Sequence, residues 1–230
     1  MRKNFELTQY EDSAELVEVA TRQAIEAIVR QLAEKKVFHI GLTGGSLGNE
    51  FAEKLVELIN GEGNLTGLHI WFSDERFDTA DSPLRNSRPV RDGLNNSSVT
   101  VHEVKSSDGG VKVHEAADTY VTQLHGVTMN ICVLGLGPDG HVASLFPEHW
   151  SSQETKEAIA VVNSPKPPPE RVSFSMAFIN SSEQVWIIAS GRIKAAAAKA
   201  VLEADVSVPA GHVQAAGLTR LLIDNDAFSN

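Results

Sequence analysis

Apolar and polar positions change their spacing repeatedly along the chain, and each change indicates a new element. Short apolar or alternating runs, typical of strands, lie at residues 5–9, 37–42, 68–72, 99–104, 129–135, 158–162, 185–190 and 218–224. Longer segments predict helices at residues 13–35, 47–59, 83–93, 111–124 and 192–203. Ser13 is predicted to cap the first helix, and Pro83 to occupy the first position of the third.

This alternation of strands and helices predicts an α/β fold whose sheet is mostly parallel and covered by helices on both faces. The chain has 230 residues, and we expect residues 1–230 to form a single domain. The proline-rich segment 163–170 is predicted to be a stiff loop within that domain, because well-patterned elements continue on both sides. Polar clusters follow three predicted strands, and parallel topology would bring them to one edge of the sheet: 43–46, 73–76 and 135–141.

The composition is that of an ordinary globular protein, with 42% hydrophobic and 22% charged residues. The net charge of −10 and the pI of about 5.2 argue against nucleic acid and anionic membranes as partners, because both require a basic surface. A small anionic substrate is compatible with this charge, since the charge of a binding site is local.

Cys132 is the one cysteine of the chain, and it lies inside an apolar run where we expect a small buried hydrophobe. A single cysteine forms no disulfide framework, which indicates a reducing cytoplasm. The sequence shows neither the apolar region of a signal peptide nor an apolar run of membrane-spanning length. The histidines have no paired-ligand spacing, so we expect no protein-bound metal.

The fifth apolar run opens into a glycine-rich turn. Gly135, Gly137 and Gly140 match the G-x-G-x-x-G pattern of dinucleotide-binding proteins. In those proteins the pattern opens a long helix, and an acidic residue follows about 20 residues later at the next strand end. Here Pro147 ends any helix early and the next strand-like run ends in Asn163, so binding of an NAD-type cofactor is disfavoured.

His141 is the best candidate for a general base. A neutral imidazole accepts protons near pH 7, and Asp139 is close enough in sequence to orient it. The alternative interpretation is a histidine that only caps a helix.

Thr43-Gly44-Gly45-Ser46 precedes a predicted helix. The N–H groups and the dipole of a helix N-terminus suit a phosphate, and Ser46 can add a hydroxyl donor. The alternative is an ordinary helix cap with flexible glycines.

Asp74-Glu75-Arg76 places both signs of charge directly after a strand. Arg76 can bind a phosphate bidentately, and Asp74 can orient a hydroxyl or hold a neighbouring cation. A surface salt-bridge cluster is the alternative. Arg171 and Lys194 are isolated cations that, taken alone, are interpreted as solvated side chains.

These motifs together resemble the 6-phosphogluconolactonase family, within the glucosamine/galactosamine-6-phosphate isomerase superfamily. Five blocks carry the resemblance and span most of the chain, and the third and fourth are the most specific. They are Leu42-Thr43-Gly44-Gly45-Ser46, Asp74-Glu75-Arg76 with Asn86, the segment 135–147, the segment 164–172 and the segment 190–195.

The resemblance implies a Rossmann-like three-layer α/β/α fold and hydrolysis of 6-phospho-D-glucono-1,5-lactone to 6-phosphogluconate, the second step of the oxidative pentose phosphate pathway. It implies that His141 is the base with Asp139 as its neighbour, and that no cofactor is needed. The phosphate would be surrounded by Gly44, Gly45, Ser46, Arg76, Arg171 and Lys194. The expected binding partner is the sugar-phosphate lactone. The expected oligomeric state is a monomer or a weak homodimer.

Two departures from the family pattern are present. Leu47-Gly48 stands where Thr-Pro often follows Ser46, which removes a hydroxyl donor, and Asp78-Thr79 replaces Val-Pro after Phe77. The deaminases of the superfamily carry a glutamate for ring opening where this chain has Phe146, which carries no proton. The lactonase is therefore favoured over two alternatives, an amino-sugar-phosphate deaminase and a non-catalytic sugar-phosphate sensor.

Overall fold

Strands alternate with helices in the computed structural model of the protein, which describes residues 4–34 and 36–228. The helices are α1 (Ser13–Ala33), α2 (Gly45–Gly61), α3 (Arg88–Gly93), α4 (Val113–Leu124), α5 (Met176–Ser181), α6 (Ala195–Glu203) and α7 (Asn225–Phe228). The strands are β1 (Phe5–Tyr10), β2 (Phe38–Leu42), β3 (Leu68–Phe72), β4 (Asp74–Arg76), β5 (Thr100–Val101), β6 (Ile131–Gly135), β7 (Ala158–Val161), β8 (Arg171–Phe174), β9 (Gln184–Ala189) and β10 (Leu218–Asp224).

The central sheet contains seven strands in the order β1-β10-β9-β6-β2-β3-β5. All of its neighbouring strands are parallel, which confirms the predicted topology. Strands covered on both faces read as continuous apolar runs, and residues 131–134 of β6 are all buried. Parallel strands end at the same edge, so the polar clusters after β2, β3 and β6 meet there.

Each face of the central sheet has its own hydrophobic core. On one face, α1 and α2 pack with α3 through residues such as Leu16, Phe51 and Val90. On the other face, α4 and α6 pack with a smaller sheet around Tyr120 and Phe174. These layers form the predicted three-layer α/β/α fold in a single domain. Within the part of the chain that is described, no helix is long and apolar enough to cross a membrane.

The smaller sheet is antiparallel, in the order β4-β8-β7, and the sequence did not reveal it. Its register pairs Arg76 with Arg171 and Asp74 with Ser173. The charged sequence of β4 has no strand-like apolar pattern, and β8 follows directly on the proline-rich loop. This sheet places two of the predicted site cations side by side.

The predicted helix over 83–93 is wrong at its start, because α3 begins only at Arg88. The preceding residues form turns that the buried Glu75 carboxylate holds. Glu75 accepts the backbone N–H groups of Asn86 at 2.6 Å and Ser87 at 2.9 Å. These bonds between residues distant in sequence override the local preference for a helix.

Other predicted boundaries also change. Asp12, not Ser13, caps α1 by accepting the N–H of Glu15 at 2.9 Å. The predicted strand 99–104 shrinks to β5, and a 3-10 helix over Arg192–Lys194 precedes α6. Helices α5 and α7 were not predicted. The predicted end of the first helix, Lys35, lies outside the described residues.

Candidate active site

A cavity of about 400 Å³ opens at the carboxyl ends of β2, β3, β6 and β9. All of the predicted site residues except Asp139 line it, together with the unpredicted Lys166. The predicted residues in its wall are Gly44, Gly45, Ser46, Asp74, Arg76, His141, Arg171 and Lys194.

His141 lies in the cavity wall and forms a hydrogen-bonded pair with Asp139. The Nδ1 atom of His141 lies 2.5 Å from Oδ1 of Asp139. The imidazole is 14% exposed and the carboxylate 40% exposed. Because Nδ1 is engaged with the carboxylate, Nε2 is the ring nitrogen available to a ligand. This is the arrangement of an oriented general base.

The glycine-rich turn after β6 provides the space for this pair. A Cβ atom on Gly137 would lie 1.8 Å from Nδ1 of His141 and 2.5 Å from Oδ1 of Asp139, so no side chain fits there. Gly137 also donates its N–H to the carbonyl oxygen of His141 at 2.9 Å. The segment continues in isolated bridges, Leu136 to Val142 and Val142 to Leu145, and not in the long helix of a dinucleotide site.

Burial lowers the pKa of His141, and the nearby Lys166 lowers it further, while Asp139 acts in the opposite direction. The Phe146 ring forms part of the apolar surroundings, with its centroid 4.6 Å from that of the imidazole. Burial alone would raise the pKa of Asp139, but the hydrogen bond with His141 outweighs it and the pKa is lowered. At neutral pH the pair is therefore a neutral imidazole and a carboxylate.

The Gly44-Gly45-Ser46 turn brings the N-terminus of α2 to the cavity. Gly44 is the N-cap, and no side chain caps the first turn of the helix. A Cβ atom on Gly44 would lie 1.8 Å from Oδ1 of Asn86, so the turn and the segment after β4 are closely packed. Thr43 Oγ1 accepts the N–H of Gly135 at 3.2 Å, which ties this turn to the end of β6. An uncapped helix N-terminus suits an anion.

Arg76 is half-buried and only partly committed to the protein. Its Nη1 atom donates to the carbonyl oxygen of Leu84 at 2.5 Å. Its Nε atom is buried, and no hydrogen-bond partner for it is found among the residues described. A buried donor without a partner costs free energy until a ligand satisfies it, so Arg76 is suited to bind an anion.

Arg171, in contrast, is buried, and the protein engages most of its donors. Nε and Nη2 donate to the carbonyl oxygens of residues 166–168 at 3.0–3.2 Å. Nη1 donates to Ser144 Oγ at 3.4 Å and lies 3.7 Å from Oδ2 of Asp74. An arginine has five N–H donors, and four of them form these hydrogen bonds, while the 3.7 Å contact with Asp74 is an ion pair. Arg171 therefore lies in the cavity wall as expected, but three of its donors hold the proline-rich loop.

Asp74 is likewise committed to the protein. Its carboxylate accepts from Ser144 Oγ at 2.7 Å and from Asn86 Nδ2 at 3.0 Å, besides its contact with Arg171. These contacts orient the hydroxyl of Ser144 and place the carboxylate beside the cation Arg171.

Lys166 and Lys194 add positive charge to the cavity wall. Burial lowers the pKa of Lys194, and the proximity of Lys166 lowers it further. Lys166 was not singled out from the sequence, although it lies between two prolines of the predicted stiff loop, which was a usable signal. In a chain of net charge −10, these lysines and Arg76 make the cavity locally cationic. Among the described residues, no group of three or more His, Cys, Asp or Glu side chains is arranged to hold a metal ion.

The replacement of the family's Thr-Pro by Leu47-Gly48 also lies in the cavity wall. A Cβ atom on Gly48 would lie 2.8 Å from the carbonyl oxygen of Thr43, so the first turn of α2 is packed closely on the end of β2. Leu47 gives this part of the wall an apolar surface where the family often has a hydroxyl.

Comparison with known proteins gives one consistent family. Residues 11–222 match the family described as glucosamine-6-phosphate isomerases/6-phosphogluconolactonase. A 6-phosphogluconolactonase from Streptomyces coelicolor is 32% identical over 244 residues, covering 97% of this chain and 94% of that protein.

Solved structures show the same fold. The 6-phosphogluconolactonase of Thermotoga maritima has a TM-score of 0.82 at 24% identity, with 96% of this chain and 100% of that chain covered. A monomeric glucosamine-6-phosphate deaminase has a TM-score of 0.79 at 18% identity, with 96% and 98% covered. The fold alone therefore does not separate the two activities.

Proposed function

The chain is an enzyme of the glucosamine-6-phosphate isomerase/6-phosphogluconolactonase family, and we propose that it hydrolyses 6-phospho-D-glucono-1,5-lactone to 6-phospho-D-gluconate. The observation that carries this proposal is the Asp139–His141 pair, which adjoins a cavity whose wall also contains Arg76, Lys166 and Lys194. A base and several cations in the wall of one cavity suit a lactone that carries a phosphate group.

In the proposed reaction, Nε2 of His141 removes a proton from water while the water oxygen attacks C1 of the lactone. The carbonyl becomes a tetrahedral oxyanion as the new C–O bond forms. The oxyanion then re-forms the carbonyl, the ring C1–O bond breaks, and the 5-oxygen takes the proton from the imidazolium. Asp139 keeps Nδ1 protonated and stabilises the imidazolium between these steps. General-base help of this kind contributes about 10²–10⁴-fold.

The phosphate is proposed to lie between the N-terminus of α2 and the cations Arg76, Lys166 and Lys194. The free Nε donor of Arg76 supports this placement. Arg171 takes part indirectly, because its hydrogen bonds to residues 166–168 hold Lys166 in the wall of the cavity. The free, buried thiol of Cys132 is compatible with the reducing cytoplasm that the sequence predicts.

Phe146 supports the lactonase over the deaminase. Its ring packs against His141 and is 1% exposed, so the position that carries a glutamate in deaminases is apolar here. Ring opening of an amino sugar needs a group that transfers protons, and a phenyl ring cannot supply one.

The test is a coupled assay in which glucose-6-phosphate dehydrogenase generates the lactone. We expect the protein to form 6-phosphogluconate well above the rate of spontaneous hydrolysis, and to release no ammonia from glucosamine 6-phosphate. Ammonia release would establish the deaminase instead. Thermal stabilisation by 6-phosphogluconate without turnover would establish a sensor.

A further inference from the structure

Ser190 directly follows β9 and lies half-buried in the wall of the cavity. Its hydroxyl donates to Oδ2 of Asp224 at 2.5 Å. Asp224 is the last residue of β10, the neighbouring strand, and is not among the residues that line the cavity. The two residues are 34 positions apart in sequence, so no local sequence motif predicts their pairing.

The direction of this hydrogen bond is determined by the other bonds of Asp224. Oδ1 accepts the N–H groups of Ala227 at 2.8 Å and Gly191 at 3.0 Å, and Oδ2 accepts the N–H of Gly191 at 3.1 Å. Burial would raise the pKa of Asp224, but these bonds and the one from Ser190 outweigh it and lower the pKa. An ionised carboxylate only accepts hydrogen bonds, so the proton in the bond must be that of Ser190.

A serine hydroxyl has one proton and two lone pairs. Since the proton of Ser190 is used by Asp224, the side chain offers only acceptor capacity to the cavity. Phosphate oxygens, the lactone carbonyl and a product carboxylate are acceptors too and cannot pair with it. The ligand groups that can donate are the ring hydroxyls of the sugar.

On the basis of the proposed function, we propose that Ser190 is a specificity residue that accepts a hydrogen bond from one ring hydroxyl of the sugar phosphate. Asp224 is the positioning residue that fixes the polarity of Ser190. The cavity is thereby divided by polarity: Arg76, Lys166 and Lys194 donate to the phosphate, and Ser190 accepts from the sugar.

The test measures, by calorimetry, dissociation constants of 6-phosphogluconate, which is the open-chain product, and of its 2-, 3- and 4-deoxy derivatives. The hydroxyls at C2, C3 and C4 are those that the ring of the lactone carries. For the wild type we expect one derivative to bind about threefold to tenfold more weakly than the parent, the worth of one hydrogen bond. In Ser190→Ala that ratio falls to about one, because the acceptor is gone, while the ratios of the other derivatives do not change.

Asp224→Asn is the second variant. The amide oxygen can keep the two backbone N–H groups while its NH₂ donates to Ser190, which reverses the hydroxyl. We expect the preference for the same ring hydroxyl to fall although Ser190 is still present. A role in folding alone would weaken every ligand by the same factor, so unchanged ratios in both variants overturn the proposal, as does a wild type that binds all derivatives equally.

Turnover of the parent lactone is measured in parallel, and it separates this inference from the proposed function. A wild type that shows the predicted binding ratio but no turnover supports the polarity of Ser190 and removes the lactonase activity. Turnover without any dependence on a ring hydroxyl does the reverse.

Discussion

His141 and a group of three other histidines lie towards opposite ends of the parallel strands, and only His141 has an arrangement suited to catalysis. His141 follows β6 at the carboxyl edge, beside Asp139 and the cavity. The other group, called the histidine cluster here, lies near the amino ends of β2 and β3 and just after β5. It consists of His39, His69 and His102 around Trp71.

Within the histidine cluster, aromatic side chains satisfy one another. Trp71 Nε1 donates to His39 Nδ1 at 3.0 Å, and His69 Nδ1 lies 2.8 Å from His102 Nε2. The Trp71 and His102 rings stack with centroids 3.7 Å apart. Among the described residues, no carboxylate pairs with a ring of the cluster, and none of its rings lines the cavity that His141 lines.

The difference teaches that burial alone does not single out His141 as the proposed base. Burial lowers the pKa of His141 and brings the pKa of His39 and of His102 to about 4. His141 differs from the cluster in two respects. Its ring pairs with the carboxylate of Asp139, and it lies at the carboxyl edge, where open α/β sheets bind ligands. Three neighbouring imidazoles without these features form a packing unit.

The largest expected effect comes from removing the imidazole at the carboxyl edge. His141→Ala should lower kcat for lactone hydrolysis by about 10²–10⁴-fold, because the general base is lost. Binding of 6-phosphogluconate, measured by calorimetry, should change little. The matched control is His102→Gln in the histidine cluster, for which we expect kcat within about twofold of the wild type. Equal losses in the two variants would break the comparison.

Asp139→Asn tests the contribution of the carboxylate that pairs with His141. We expect kcat/KM at pH 7 to fall by about tenfold to a hundredfold, because the imidazolium loses its stabilising carboxylate. Asp139 raises the pKa of His141, so its removal should also shift the acidic limb of the pH–kcat/KM profile to lower pH.

Lys166→Met provides the opposite control for this profile. Lys166 lowers the pKa of His141, so its removal should shift the acidic limb to higher pH. Shifts of both variants in the same direction would mean that the limb belongs to another group.

Arg76→Met tests the anion-binding part of the same edge. Loss of a charge-assisted hydrogen bond should raise KM about tenfold, while kcat should change less because the phosphate is remote from C1. Steady-state kinetics of lactone hydrolysis separate the two constants. Arg22→Met on the exposed surface of α1 is the control and should leave KM unchanged. A fall in kcat with unchanged KM would remove Arg76 from the phosphate site.

The fold could be predicted from the sequence wherever apolar patterns decide structure. The strands of the central sheet show such patterns, and β6 was predicted with the glycine turn that carries His141. The smaller sheet could not be found, because β4 consists of three charged residues whose pairing with β8 is a tertiary contact. The turns before α3 were predicted as helix because Glu75, which holds them, is distant in sequence.

The residues that line the candidate site could be predicted from the sequence, but their hydrogen-bond partners could not. His141 and Arg76 lie at the cavity as expected. The engagement of Arg171 by residues 166–168, which makes Lys166 part of the wall, depends on the path of the proline-rich loop. The bond between Ser190 and Asp224 joins two strands that are neighbours only in space. Such contacts follow from topology, and no local spacing encodes them.

The smallest expected effect concerns stability in acid, and it comes from the histidine cluster. In the unfolded chain, the histidines of the cluster have a pKa of about 6.5, whereas burial in the folded protein brings the pKa of His39 and His102 to about 4. The unfolded state therefore binds more protons between these values, and the stabilisation present above pH 6.5 is lost as the pH falls towards 4. Protonation of His39 Nδ1 also removes the acceptor of the Trp71 indole.

After allowance for partial exposure, we expect a loss of ~1–2 kcal/mol in the free energy of unfolding between pH 7 and pH 4.5, measured by urea denaturation. His102→Gln should be less stable than the wild type at pH 7 but should lose less on acidification, because one titrating ring is absent. His125→Gln, whose parent side chain is 88% exposed, is the control and should keep the slope of the wild type. If His102→Gln loses as much free energy of unfolding on acidification as the wild type, the acid sensitivity arises outside the histidine cluster.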